Sequence, residues 1–237
     1  MNHNHYQQSH SSRAASIAAA KKKKRNRTIV LVSASSVLIF GILYFFVSFL
    51  PFSQDGRTAS VSLAVSDEND WTYGDKESGI VLVEYSDFQC PACGVYYPML
   101  KQLKQDLGES FLFVYRHFPL PSHRNAKIAS YAAEAAGIQG KFWEMHDLIF
   151  ERQREWTNYA DARLLFIAYA EELGLDTDAF ERDIDSDAVR SSVDNDLSSG
   201  RASWVNGTPT FFLNGSKIQN PRSPEEFKRV ILGSSGE

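Results

Sequence analysis

Hydrophobic residues along this chain fall into runs of three kinds, and each kind predicts a different element. A long uncharged stretch extends from Thr28 to Phe52, "TIVLVSASSVLIFGILYFFVSFLPF". Two short runs rich in β-branched and aromatic residues, Ile80 to Tyr85 and Phe111 to Phe118, read as strands buried on both faces. Between them Val95, Met99, Leu100, Leu103 and Leu107 recur at near-helical spacing, and Gly108 stands where a helix would stop. From about residue 124 to 200 the pattern is helical throughout, in "NAKIASYAAEAAGI", "KFWEMHDLIFER", "DARLLFIAYAEELGL" and a polar helix around "AVRSSVDNDLSSG". The chain returns to strand in "TPTFFLNGSKIQ", where Asn214-Gly215 between apolar runs predicts a tight hairpin. In the closing helix, "SPEEFKRVILG", Ser223 is placed to cap and Pro224 to occupy the first turn. With the helical block set aside, the order is β-α-β followed by β-β-α. That order predicts an α/β fold with a mixed sheet, helices on both faces and the first two strands parallel.

The Thr28–Phe52 stretch is long enough for a helix to cross the hydrocarbon layer of a bilayer. It follows "KKKKRNR", Lys21 to Arg27, a block that would suggest nucleic acid in a soluble protein but beside an apolar span acts as a topological signal. Four segments result: a disordered basic cytoplasmic tail at 1–27, a transmembrane anchor at 28–52, a linker at 53–75 and an exported folded domain at 76–237. A cleaved signal peptide is the rival, but such segments have a shorter apolar core and small residues at the cut site. The tail histidines His3, His5 and His10 lack the fixed spacing of a metal site. The chain of 237 residues has a net charge of −4 and an ordinary charged fraction, so nothing in the overall balance suggests a polyanion such as nucleic acid as partner.

The only cysteines, Cys90 and Cys93, lie in "SDFQCPACG" at the junction of the first strand and first helix. A thiolate at a helix N-terminus meets unpaired N–H groups and the positive end of the helix dipole, so Cys90 is the candidate nucleophile. Cys93, one turn further in, can close a disulfide with it. Three other readings remain: a structural disulfide, weak because the loop is so short; a metal site, which would need ligands beyond two thiolates; and two inert buried thiols. An exported location favours redox use.

The segments "VLVEYSDFQCPACG", "FVYRHFPLPSHRNA", "KFWEMHDLIF" and "VNGTPTFFLNG" together resemble the thioredoxin-fold thiol–disulfide oxidoreductases of the DsbA family, its membrane-anchored members in particular. The resemblance covers about residues 79–232, with 124–200 as the family's inserted helical domain. It implies an enzyme that oxidises cysteine pairs of exported proteins, is recharged by a membrane redox partner and needs no cofactor beyond its own disulfide. It further implies that Thr208 and Pro209 form a cis-proline turn that binds substrate, and that Glu84 is a buried carboxylate assisting proton transfer. The alternative for Glu84 is a strand glutamate facing water, and for Pro209 an ordinary trans proline. Pro91-Ala92 between the cysteines departs from the histidine-containing dipeptide of the most oxidising members. A reductase or isomerase of the same fold, and a non-catalytic metal-binding module, are the alternative functions. His117 and His123 read as surface or capping residues, His146 as structural, and Phe142, Trp143, Phe150 and Phe166 as core of the insert.

Overall fold

The computed structural model describes residues 70–233. The basic tail, the 28–52 span and the linker up to residue 69 lie outside them. Among the described residues no helix is long and apolar enough to cross a membrane.

In chain order the elements are β1 (Trp71–Gly74), β2 (Val81–Ser86), α1 (Pro91–Leu107), β3 (Leu112–His117), α2 (Ala126–Ile138), α3 (Phe142–Glu151), the one-turn α4 (Gln153–Trp156), α5 (Arg163–Glu172), α6 (Thr177–Asp183), α7 (Asp187–Ala202), β4 (Thr210–Leu213), β5 (Ser216–Lys217) and α8 (Pro224–Gly233). The sheet order is β1-β3-β2-β4-β5. β2 and β3 are parallel and the other neighbours antiparallel, the mixed sheet the element order predicts. One boundary differs from the sequence reading. Trp71–Gly74, taken as the end of the linker, is an edge strand paired with β3. It is held by Trp71, whose ring stacks on Phe142 at 4.2 Å and whose Nε1–H donates to Glu134 at 2.8 Å. Both partners belong to the helical block, so nothing local in this short segment announces it.

Both faces of the sheet are covered, which is why the strands read as continuous apolar runs rather than alternating ones. Leu82, Phe113, Tyr115, Phe211 and Leu213 face one core, shared with Leu100 and Leu103 of α1, Met145 of α3 and Phe227 and Ile231 of α8. Val83, Tyr85, Leu112, Val114 and Phe212 face the other, with Leu197 of α7. Burying each such side chain contributes roughly 1.5–3 kcal/mol. α7 reaches the sheet at Gly200, where a Cβ would stand 2.6 Å from the Phe118 ring.

Local punctuation behaves as the sequence indicates. Asn214 and Gly215 carry φ of 48° and 79°, the left-handed pair a two-residue hairpin requires. Gly108, with φ of 53°, ends α1, and the Ser223 hydroxyl accepts from Glu226 N–H at the start of α8. Phe142, Phe150 and Phe166 are core of the insert and Trp143 packs against them, as expected.

Candidate functional site

Cys90 is the N-cap of α1, with extended backbone (φ −68°, ψ 121°), and Pro91 occupies the first helical position. Pro91 has no N–H, and the first helical N–H has no intrahelical acceptor in any case, so nothing is lost there. The Cys90 thiol donates to the Thr208 carbonyl at 3.4 Å, and Thr208–Pro209 is a cis peptide. This loop is thus brought against the cysteine pair, as the resemblance implies. Both thiols are free; Cys90 is 6% exposed and Cys93 only 1%.

The two sulfurs are pushed in opposite directions. A hydrogen bond from Cys93 pulls Cys90 down to about 5; burial opposes this, and the Thr208 hydroxyl and the N–H groups of Cys93 and Ala92 add to the lowering. The Thr208 Oγ1 is buried without a hydrogen-bond partner. It is the donor available once Cys90 ionises, whereas the carbonyl serves the neutral thiol. Cys93 is raised well above the ordinary thiol range, first by burial, then by its hydrogen bond with Cys90 and by the Glu84 carboxylate. One sulfur is therefore an ionised nucleophile at neutral pH and the other a protonated reserve.

Glu84 is 2% exposed, so the solvent-facing alternative is excluded. Burial raises it to about 7, against the lowering effects of the Ser86 hydroxyl and the Lys104 charge. Lys104 itself lies over the rings of Trp143, Tyr73 and Phe113, at 4.6, 5.2 and 5.4 Å. Burial lowers its pKa.

Three residues that sequence reasoning passed over hold the cysteine loop. Asp87, fully buried, accepts from Gln89 N–H, Leu120 N–H and His123 Nδ1. Gln89 accepts from Asn125 N–H and donates to the Thr157 carbonyl, tying the loop to the helical insert. From α4, the Gln153 amide donates to the Phe88 carbonyl at 2.7 Å and the Cys90 carbonyl at 2.9 Å. The glycine after Cys93 was the available signal: a Cβ on Gly94 would stand 2.5 Å from Gln153 Oε1. Gly94→Ala is therefore expected to displace Gln153 and to destabilise the fold by about 1–2 kcal/mol, two lost hydrogen bonds less a gain in helix propensity. Denaturant midpoints at unchanged m measure this; an alanine variant as stable as the parent would mean that the clamp contributes nothing.

The histidines divide. His117 is no surface residue: it is fully buried at the end of β3, its Nε2 2.9 Å from Glu134 Oε1 and its N–H donating to Asp196. The insert covers it, which strand position could not reveal. His123 is part-buried and bonded to Asp87. His146 is structural as read, ringed by Phe88, Tyr97, Tyr115 and Phe150. Among the described residues no group of three or more His, Cys, Asp or Glu side chains is placed to hold a metal ion.

A family model described as thioredoxin matches residues 66–232. Among solved structures the chain is similar to BdbD from Bacillus subtilis in its oxidised form, with TM-score 0.64, 20% identity, and coverage of 73% of this chain and 96% of that one. It is also similar to alpha-DsbA1 of Wolbachia pipientis, with TM-score 0.66, 22% identity, and coverage of 74% and 95%. Among curated proteins it is 37% identical over 171 residues to Na(+)/H(+) antiporter NhaA 3 of Salinispora tropica, covering 72% of this chain. The chain spans about a quarter of the length of the curated relatives it matches.

Proposed function

Because the chain belongs to the thioredoxin family, we propose that it is a membrane-tethered protein disulfide oxidoreductase, acting as an oxidase on cysteine pairs of exported proteins. The carrying observation is the opposed pair: Cys90 lowered to about 5 at a helix N-terminus, against the Thr208–Pro209 turn, with a protonated Cys93 behind it. A stabilised thiolate is a good leaving group, so a mixed disulfide or internal disulfide at Cys90 is readily given up to a substrate thiol. In each cycle the substrate thiolate attacks Cys90 Sγ and Cys93 leaves; a second substrate thiolate then displaces Cys90, leaving both cysteines reduced. A membrane redox partner withdraws the two electrons. The similarity in fold to alpha-DsbA1 and BdbD supports this reading, and Thr208 and Pro209 are the substrate-binding turn within it.

The tether is supported by the uncharged 28–52 stretch behind its lysine block. It places the N-terminus in the cytoplasm and the catalytic domain outside the cell membrane. Alkaline extraction should leave the chain with lipid; a soluble mature chain beginning near Ser60 would refute the anchor.

The competing direction, reductase or isomerase, is supported by Pro91-Ala92, which supplies no charge to the Cys90 thiolate. The reduction potential decides. Equilibration with glutathione should give a value toward about −120 mV, whereas one near about −270 mV would assign the reductase role. Metal retained stoichiometrically through purification, without thiol exchange, would instead favour a metal-binding module.

A further inference from the structure

The helix that carries the cysteine pair has a face that the sheet does not use. Pro91, Val95 and Pro98 of α1 stand at i, i+4 and i+7 and so form one stripe. All three are exposed, Val95 to 58%. The stripe is one wall of an open cavity of about 800 Å³, within the roughly 300–1,000 Å³ of ligand sites. Tyr97 and Phe150, stacked at 5.3 Å, form its floor. The other wall is α4 and the turn after it, through Gln153, Arg154, Thr157 and Asn158. The Cys90 sulfur meets the Thr208 carbonyl, whereas the Cys90 carbonyl accepts from Gln153 in the cavity wall at 2.9 Å. Turn and cavity therefore flank Cys90.

Most polar groups in this wall are already spent. Gln89 and Gln153 hold the cysteine loop. The Thr157 hydroxyl donates to the Gln153 carbonyl. Glu151 is paired with Lys101 at 2.8 Å and accepts from the Tyr97 hydroxyl. Among the described residues, the lining side chains left without a hydrogen-bond or ion-pair partner include two donors, the guanidinium of Arg154 and the amide of Asn158, four positions apart. Glu155, next in sequence, does not line the cavity. The unspent charge beside Cys90 is thus positive, and a guanidinium is shaped to hold a carboxylate through two parallel hydrogen bonds.

Resting on the oxidoreductase reading, we infer that this cavity is a second substrate subsite, which takes the segment flanking the substrate's cysteine and selects for a carboxylate there. An apolar side chain of that segment lies against Pro91, Val95 and Pro98, and an Asp or Glu side chain is held by Arg154 and Asn158. Arg154 directly follows Gln153, whose amide touches the Cys90 backbone. An extended chain advances about 3.3 Å per residue, so the acid stands about two to four residues from the cysteine that bonds to Cys90. Glu151 does not repel it, because Lys101 already neutralises that carboxylate.

The experiment mixes the oxidised full chain, in neutral detergent, with synthetic dithiol peptides that differ only in carrying Glu or Gln near the cysteine pair. The variable residue precedes the pair in one series and follows it in the other. Each turnover converts two peptide thiols into one peptide disulfide and reduces the Cys90–Cys93 disulfide to two thiols, and acid-quenched samples give its rate. In one series the Glu peptide should react about threefold to tenfold faster than the Gln peptide, an advantage that shrinks at high salt. In the other series the two should match. Arg154→Gln should bring the ratio to about one, and Arg154→Glu should reverse it. Equal rates for Glu and Gln peptides in both series, or a preference that survives Arg154→Gln, overturns the subsite and leaves the exchange reaction standing. Faster oxidation of every peptide by Arg154→Gln would give the cavity to an acidic segment of the chain itself and overturn its assignment to substrate. A parent chain that oxidises no peptide overturns the oxidoreductase reading and the subsite with it.

Discussion

Cys93→Ala is expected to accumulate covalent complexes with cysteine-containing proteins, released by reductant, and Cys90→Ala almost none. Cys90 presents its sulfur at the helix start beside the Thr208 carbonyl, while Cys93 is 1% exposed and lies one turn deeper. An outside thiol can therefore exchange with Cys90 and cannot reach Cys93. Resolution by Cys93 is intramolecular, at effective concentrations that exceed any external thiol by several orders of magnitude. Its removal should lengthen the life of a Cys90 mixed disulfide by at least about a hundredfold. Non-reducing gels of each variant in the cells that make it, with the trapped bands identified, measure this. Equal trapping by the two variants would overturn the assigned polarity.

Reduced protein is expected to resist denaturant better than oxidised protein at neutral pH, with the margin shrinking in acid. Cys90 is depressed to about 5 in the fold, against about 8.5 for an unfolded thiol. A depressed folded value contributes stability that is fully present above the unfolded one and is lost as pH falls through the folded one. The contribution is therefore complete above pH 9, reduced at pH 7 and gone below about pH 5. The disulfide form has no thiolate and lacks it throughout. Glu84 has the opposite sign: raised to about 7 by burial, it favours the fold below its unfolded value and ceases to as pH rises through 7. Both redox forms carry that carboxyl, so the part of its rise that comes from burial drops out of the difference, while the smaller part that comes from the Cys90 charge exists only in the reduced form and takes a little from its margin. Above pH 9 the raised Cys93 works against the reduced fold, because the unfolded chain ionises first. The margin should therefore peak between about pH 7 and 9. Urea unfolding of both forms from pH 4 to 9 tests this; an oxidised form that is the more stable at pH 7 would argue for the reductase direction.

What the sequence determined by itself is what depends on a few neighbouring residues. The Asn214-Gly215 hairpin, the Gly108 stop, the Ser223 and Pro224 start and the placing of Cys90 at a strand-to-helix junction are all local chemistry of turns and caps. The order of elements followed from hydrophobic period, and with it the mixed sheet. Glu84 and the Thr208–Pro209 turn were reached only through resemblance, because a glutamate within a strand carries no mark of which way it faces. The tertiary structure decided the rest. Thr208 meets Cys90 across 118 positions of sequence, and Gln153 meets Cys90 across 63. The edge strand at Trp71 exists through Glu134 and Phe142, and His117 is buried because the insert closes over it. Ser86 was passed over in the sequence, and only the fold shows it fully buried and donating to Glu84 at 2.8 Å. The physical reason is common to all of these. A residue's backbone preference is set by its own side chain and its immediate neighbours, whereas its burial, its protonation and its hydrogen-bond partner are set by whichever distant segment covers it.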